Sequence, residues 1–309
     1  MPHSPASVRA ALLLTNRLVT LTAKPMTAGE FWQLVARVDP GDLLHDDPAT
    51  IASRAGVDHD EAVRLRTLLD ASIAMSFEQE RLEDGGIALV SALDDRFPSG
   101  LRYRLGAACP TFLFVAGRIE WLDRPGLGIV GSRDADDRAL DLARRAAEFA
   151  VQRDWPVVSG LARGVDQAAM AGAFDAGGAV IGIPADGLTR VSRVADIRRR
   201  VHAGELCIAS PYAPDSPFSA GAAMGRNKII YALSQATFVV ASDNGSGGTW
   251  AGAKEALDRR VAPVGAWAGD GATDGNRALV GRGATPIHDL ARLFTIEPAP
   301  PPPEQDSLF

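Results

Sequence analysis

From Leu127 onward the chain repeats one rhythm: a short apolar run, a turn, then a stretch with helical spacing. "LGIV" leads into Gly131-Ser132-Arg133, "PVVS" into Gly160, "AVIGI" into Pro184, "CIAS" into Pro211 and "TFVVAS" into Asp243. These runs are too short for helices and do not alternate with polar residues, so they read as strands buried on both faces, the condition of a parallel sheet. After the first run, Ala139, Leu142, Ala143, Ala146, Phe149 and Ala150 fall on one helical face suited to pack on that sheet. The alternation predicts an α/β fold: a doubly wound, mostly parallel, Rossmann-like sheet with helices on both faces.

What precedes this region reads as helices. Thr27 with Glu30 and Asp58 with Glu61 have the spacing of helix N-caps and their third-residue acids. Gly85 and Gly86 end the helical text, and 87–91 and 112–115 read as short strands around a proline-containing connector. The expected organisation is an N-terminal helical region over 1–84, a Rossmann-like domain with its connector over 85–294, and a proline-rich flexible tail over 295–309. An apolar fraction of 46% suffices for a sizeable core. The net charge of -6 means that any anion site comes from local clustering. Cys109 and Cys207 have no CxxC partner, which fits a reducing cytoplasm and argues against zinc or disulfides. No apolar run approaches the ~18 residues of a membrane span and no secretory leader is visible, so the expected location is cytoplasmic.

Ligands of such sheets collect beyond the strand carboxyl ends, where helix N-termini present free N–H groups. Three turns suit an anion: Gly131-Ser132-Arg133, the stretch from Ser159 and Gly160 through Arg163 to Gly164, and Gly245-Ser246-Gly247-Gly248-Thr249. Each alone also reads as a tight strand-to-helix turn; their recurrence at equivalent places favours one phosphate-binding rim. Neither GxGxxG nor GxxxxGK[ST] is present, so no nucleotide cofactor is expected. Arg226 and Lys228 flank Asn227 just before an apolar helical stretch, a set suited to a phosphodiester, with a solvated helix start as the plain alternative. Arg190, Arg193, Arg198, Arg199 and Arg200 form the most basic run, readable as a surface helix or as an electrostatic groove. His3, His45, His59, His202 and His288 form no metal or catalytic pattern; no catalytic residue or metal site is assigned, and the expectation is a binding protein rather than an enzyme.

"LGIVGSR", "VVSGLARGVDQAAMAGAF", "GGAVIGIPADGL", "ASPYAPDSPF", "GRNKIIYALSQATFVVAS" and "GSGGTWAGAKEAL" occur in the order and spacing of the DprA/Smf family of DNA-processing proteins, which the chain resembles over residues 87–288. The resemblance implies an extended Rossmann-like domain that binds single-stranded DNA without strong sequence preference, acts as a homodimer and helps to load the RecA recombinase in DNA uptake. Carried over, the phosphate contacts fall to Ser132, Arg133, Ser159, Gly160, Arg163, Arg226, Asn227, Lys228, Ser246 and Gly247. Met170 departs from the histidine common after the paired alanines, the last loop lacks the family's serine-rich ending, and the arginine run replaces a Tyr-Pro. The tail after Phe294 is too short for the winged helix of many members.

Two further readings stand beside this one. "GSGGTWAGAKEAL" also resembles the loop of lonely-guy nucleoside monophosphate phosphoribohydrolases, with Glu255 as the acid, although the preceding Pro-Gly-Gly is missing. At the terminus, Gln305, Leu308 and Phe309 resemble the short peptide by which bacterial DNA-handling proteins bind the sliding clamp, against the plain reading of an unstructured end. Trp250 is the one aromatic beside the three turns and the candidate base-stacking residue, with helix packing as its alternative role.

Overall fold

Helix boundaries in the first part of the chain are set by local side-chain to backbone bonds. The computed structural model describes residues 4–296. They divide into two compact units, 4–115 and 116–296. The first carries α1 (Pro5–Thr15), α2 (Ala28–Val35), α3 (Pro48–Ala55), α4 (His59–Leu69), α5 (Ser72–Asp84), β1 (Ala88–Ser91) and α6 (Ser99–Leu105). It also carries nearly all of β2 (Phe112–Ala116). At α2 the Glu30 amide donates to Thr27 Oγ1 (3.3 Å) and the Thr27 amide donates back to Glu30 Oε2 (2.6 Å), a complete capping box. Asp58 accepts from the Glu61 amide at 2.8 Å to start α4, directly after Gly56 closes α3 in the left-handed conformation (φ 64°). Leu13, Leu14, Phe31, Leu43, Ile51, Leu65 and Leu68 are fully buried in one cluster. Each such side chain contributes about 1.5–3 kcal/mol of burial. The strands β1 and β2 pair antiparallel, with Val90 opposite Leu113.

The second unit has the strand-turn-helix order its sequence predicts. It runs β3 (Leu127–Val130), α7 (Asp137–Val151), β4 (Val157–Ser159), α8 (Val165–Asp175) and β5 (Val180–Gly182). The short helices α9 (Leu188–Val191) and α10 (Ala195–His202) lead to β6 (Leu206–Ser210) and α11 (Ala220–Leu233). Then come β7 (Ala236–Val239), α12 (Gly247–Asp258), β8 (Val264–Trp267), α13 (Asp274–Gly281) and β9 (Thr285–Ile287). The strands from β3 to β9 lie parallel in the order β6-β5-β4-β3-β7-β8-β9. The fold is therefore α/β with a mostly parallel sheet. Strand order reverses at β3, which pairs with β4 on one side and β7 on the other. Right-handed crossovers in both directions from that point put α7 and α8 on one face and α11 and α12 on the other.

Two details differ from the sequence reading. Ala139 and Phe149 are only half-buried; the covered face of α7 is Leu142, Ala143, Ala146, Ala147 and Ala150. The helix read as starting after Lys228 instead starts at Ala220, where Ser219 accepts from the Ala222 amide at 3.0 Å, so Arg226, Asn227 and Lys228 lie inside α11. A serine cap followed by small residues sets that start, which the apolar run alone hides.

Gly172 shows how tightly the first face is packed: a Cβ there would lie 2.6 Å from the Arg144 carbonyl oxygen and 2.7 Å from its Cα. In an open helix Gly→Ala stabilises by about 1 kcal/mol. Here backbone occupies the space, and Gly172→Ala is expected to destabilise by about 1–3 kcal/mol. Urea denaturation will show this as a lower midpoint with unchanged slope.

Candidate functional site

The reversal of strand order opens a crevice between the turns that leave β3 and β7. A cavity of about 360 Å³ fills it. From the first turn come Gly131, Ser132, Arg133 and Asp134; from the last come Asp243, Ser246, Gly247, Gly248 and Thr249; α11 supplies Met224, Arg226, Asn227 and Tyr231. The crevice thus brings together six of the ten residues to which the family resemblance assigns phosphate contacts: Ser132, Arg133, Arg226, Asn227, Ser246 and Gly247.

The turns are held by neighbours. The Ser132 amide donates to Ala241 O (2.9 Å) and its carbonyl accepts from Val165 N (3.2 Å), fixing the first turn against both adjoining segments. Arg133 lies over the Phe218 ring, 5.6 Å from its centroid, and the phenylalanine is half exposed at the mouth. At α12 the Ser246 side chain makes no capping bond, so the first-turn amides are not closed off by it, and the helix dipole adds positive potential there. Asn227 Nδ2 donates to Gly248 O at 3.1 Å and fastens α11 to that turn.

The floor is a buried polar group that the sequence did not disclose. Asp166, on the first turn of α8, is 6% exposed and accepts from the amides of Gly160 (3.1 Å) and Ala162 (3.4 Å). Arg226, 5% exposed, approaches it at 3.8 Å, an ion pair beyond hydrogen-bond length. The guanidinium rests on Gly160, where any Cβ would collide with Nη1. Arg226 Nε and the Tyr231 hydroxyl are buried without a hydrogen-bond partner. Burial pushes the Asp166 carboxyl up, against the pull of Arg226 and the two amides, and pushes Arg226 and the Tyr231 phenol away from their charged forms.

Other candidate residues lie elsewhere. Ser159 is fully buried and donates to Ile129 O at 2.8 Å, tying β4 to β3, while the Gly160 amide already serves Asp166. Arg163 is exposed and pairs with Asp134 at 3.0 Å; Lys228 pairs with Glu255 at 3.2 Å, and Glu255 also meets Arg259 at 3.3 Å. Trp250 does not line the cavity; its half-buried ring faces Arg282 at 5.7 Å. Gln305, Leu308 and Phe309 lie outside the described residues.

Met170 is buried and lines a second, wider groove of about 820 Å³, which shares Arg133 and Phe218 with the first. Arg190 and Arg200 face this groove beside Asp186 and Asp196, to which they pair at 3.7 and 3.0 Å, so the basic run is internally compensated there. Both thiols, Cys109 and Cys207, are buried and pushed up to about 12. Among the described residues no cluster of three metal-ligating side chains occurs, and no helix is long and apolar enough to cross a membrane.

A doubly wound, mostly parallel sheet with a crevice at its switch point defines a Rossmann-like domain. The family model for DNA recombination-mediator protein A matches residues 88–296, and the chain belongs to that family. It is similar to the DNA processing protein DprA of Streptococcus pneumoniae, 28% identical over 197 residues, which cover 63% of this chain and 68% of that protein. It is also similar to the Smf protein of Synechocystis, 30% identical over 144 residues, 45% of this chain and 36% of that one. In three dimensions it resembles the crystal structure of S. pneumoniae DprA (TM-score 0.72, 21% identity, 97% of this chain and 100% of the other). It also resembles DNA processing protein A of Helicobacter pylori, described for its single-stranded DNA binding mode (TM-score 0.57, 20% identity, 68% of this chain and 94% of the other).

Gly160 is the position at which the floor is most easily disturbed. Gly160→Ala is expected to displace the Arg226 guanidinium from the floor, because the new methyl takes its place. A crystal structure of the variant checks it.

Proposed function

We propose that the crevice binds single-stranded DNA through its phosphates, without strong sequence preference, and that the protein acts as a homodimer assisting a RecA recombinase in DNA uptake or recombination. The observation that carries the reading is the convergence of Arg133, the buried and under-satisfied Arg226, Asn227 and the uncapped amides of α12 on one cavity. The guanidinium groups and backbone amides are donors, as is the second Nδ2 hydrogen of Asn227, and a phosphodiester is an acceptor-only ligand. Family membership and the H. pylori relative's binding of single-stranded DNA support it.

In this reading Ser132, Arg133, Arg226, Asn227, Ser246 and Gly247 contact phosphate directly. Arg163 and Lys228 serve as outer contacts that must exchange Asp134 and Glu255 for a phosphate. Ser159 and Gly160 act by holding the second turn. Phe218, half exposed beside Arg133, is better placed than Trp250 to stack a base. The competing ligand is a nucleoside monophosphate; the hydrolase version of that reading asks Glu255 to act as an acid, although two cations already hold it.

A salt titration with a labelled oligonucleotide tests the proposal. Wild type should lose affinity linearly in log-log form as salt rises, and each lost phosphate contact should lower the slope by about 0.7. Arg133→Ala should weaken binding about tenfold across sequences, the loss of a charge-assisted bond of about 1.5–3 kcal/mol being partly offset by neighbours. Arg163→Ala and Lys228→Ala should cost less. Unchanged affinity in all three variants, or nucleotide hydrolysis without salt-sensitive DNA binding, overturns the proposal.

A further inference from the structure

We propose that Asp166 is an internal counter-ion that competes with the bound phosphate for Arg226, so that ligand binding is coupled to uptake of a proton by its carboxyl group. The inference rests on the phosphate-binding reading of the crevice and adds a control built into its floor.

The geometry has three parts. First, the carboxylate occupies the place an anion would take in the second turn: it accepts from the Gly160 and Ala162 amides, so these donors face inward and are spent. Second, Arg226 is held only loosely, at 3.8 Å from Asp166 Oδ2, while its Nε has no partner. A guanidinium has five donors in a planar fork, and this one retains capacity for a second acceptor. Third, Asp166 and Arg226 line the same cavity, so an anion that reaches Arg226 arrives next to a like charge that is itself buried and little screened.

Like charges in one buried site are relieved by protonating one of them. The carboxyl of Asp166 is already raised by burial. A second anion raises it further, so binding takes up a proton and affinity rises as pH falls. The charged and titratable groups facing this pair are Tyr231 and Tyr212, whose phenols burial raises, and Arg133 of the first turn. Asp134 and Asp243 line the cavity as well, and Asp134 is compensated by Arg163. No histidine lines it among the described residues. Asp166 is thus the buried carboxyl closest to the arginine and the group on which a new anion acts most strongly.

Asp166→Asn separates charge from shape, since the amide oxygen still accepts from the Gly160 and Ala162 amides. Binding of a labelled single-stranded oligonucleotide is measured by anisotropy from about pH 8 to about pH 5.5 at fixed ionic strength, for wild type and variant, with a thermal melt to establish folding. Wild type is expected to gain about three- to tenfold in affinity across this range, and Asp166→Asn to bind more tightly than wild type at the upper end with a flatter profile, a shift of up to one pK unit being tenfold. Calorimetry of wild type in two buffers of different ionisation enthalpy should show net proton uptake on binding, which keeps the test open should the variant fail to fold. Parallel pH profiles, weaker binding by a folded Asp166→Asn, or no proton uptake by wild type would each overturn the role of Asp166 while leaving DNA binding in place. Absence of oligonucleotide binding by wild type at every pH overturns the phosphate-binding reading itself, and the counter-ion role with it.

Discussion

Strand β3 is buried along its whole length and hydrogen-bonded to a parallel neighbour on each side. A strand so placed cannot carry polar side chains without stranding them, so its chemistry is exported to the turn at its carboxyl end. Because strand order reverses at β3, the turns after β3 and β7 diverge to opposite faces and leave space between them. The position of the crevice, the direction of the uncapped α12 amides and the entry of α11 beside them all follow from that reversal.

Into this space the fold brings one buried ion pair from distant parts of the chain. Arg226 comes from the middle of α11 and Asp166 from the start of α8. The pair is not an efficient stabiliser, since its separation of 3.8 Å gives up hydrogen bonding while both groups lose water. Its geometry is instead that of a turn and a cavity floor: the carboxylate organises the second turn, and the arginine keeps its Nε without a partner. Close backbone approaches support this. Gly160 makes room for the guanidinium, and Gly164, with φ 78°, passes so near the first turn that a Cβ would lie 2.5 Å from the Ser132 carbonyl oxygen.

The outer cations have a different character. Arg163 and Lys228 are bound to Asp134 and Glu255, and at α9 and α10 Arg190, Arg199 and Arg200 pair with Asp186, Asp196 and Glu205. In a chain of net charge -6, these cations are thus locally compensated. The solvent-exposed Arg163–Asp134 pair is of the kind worth little to stability, typically about 0–1 kcal/mol.

The sequence by itself determined the layer structure and the turns. Apolar runs without alternation specify parallel strands, capping residues such as Thr27 and Asp58 mark helix starts, and glycine-rich exits from strands mark the strand-to-helix turns, because each of these signals is local. The ordered motifs were enough to name the DprA/Smf family. Only the tertiary structure decided which donors remain available. A pattern such as "ARGVDQAA" reads alike whether its acid is a surface helix-start residue or a buried counter-ion, and "GRNK" does not reveal that its arginine points inward while its lysine meets a glutamate. Ser159 and Gly160 look like ligand contacts in the sequence, yet folding commits one to Ile129 and the other to Asp166. Met170 and Phe218 acquire their positions, one in the second groove and one between both, from helices and loops that are remote in sequence. Local periodicity encodes secondary structure; partner choice for a buried charge depends on long-range packing, which no single stretch of sequence contains.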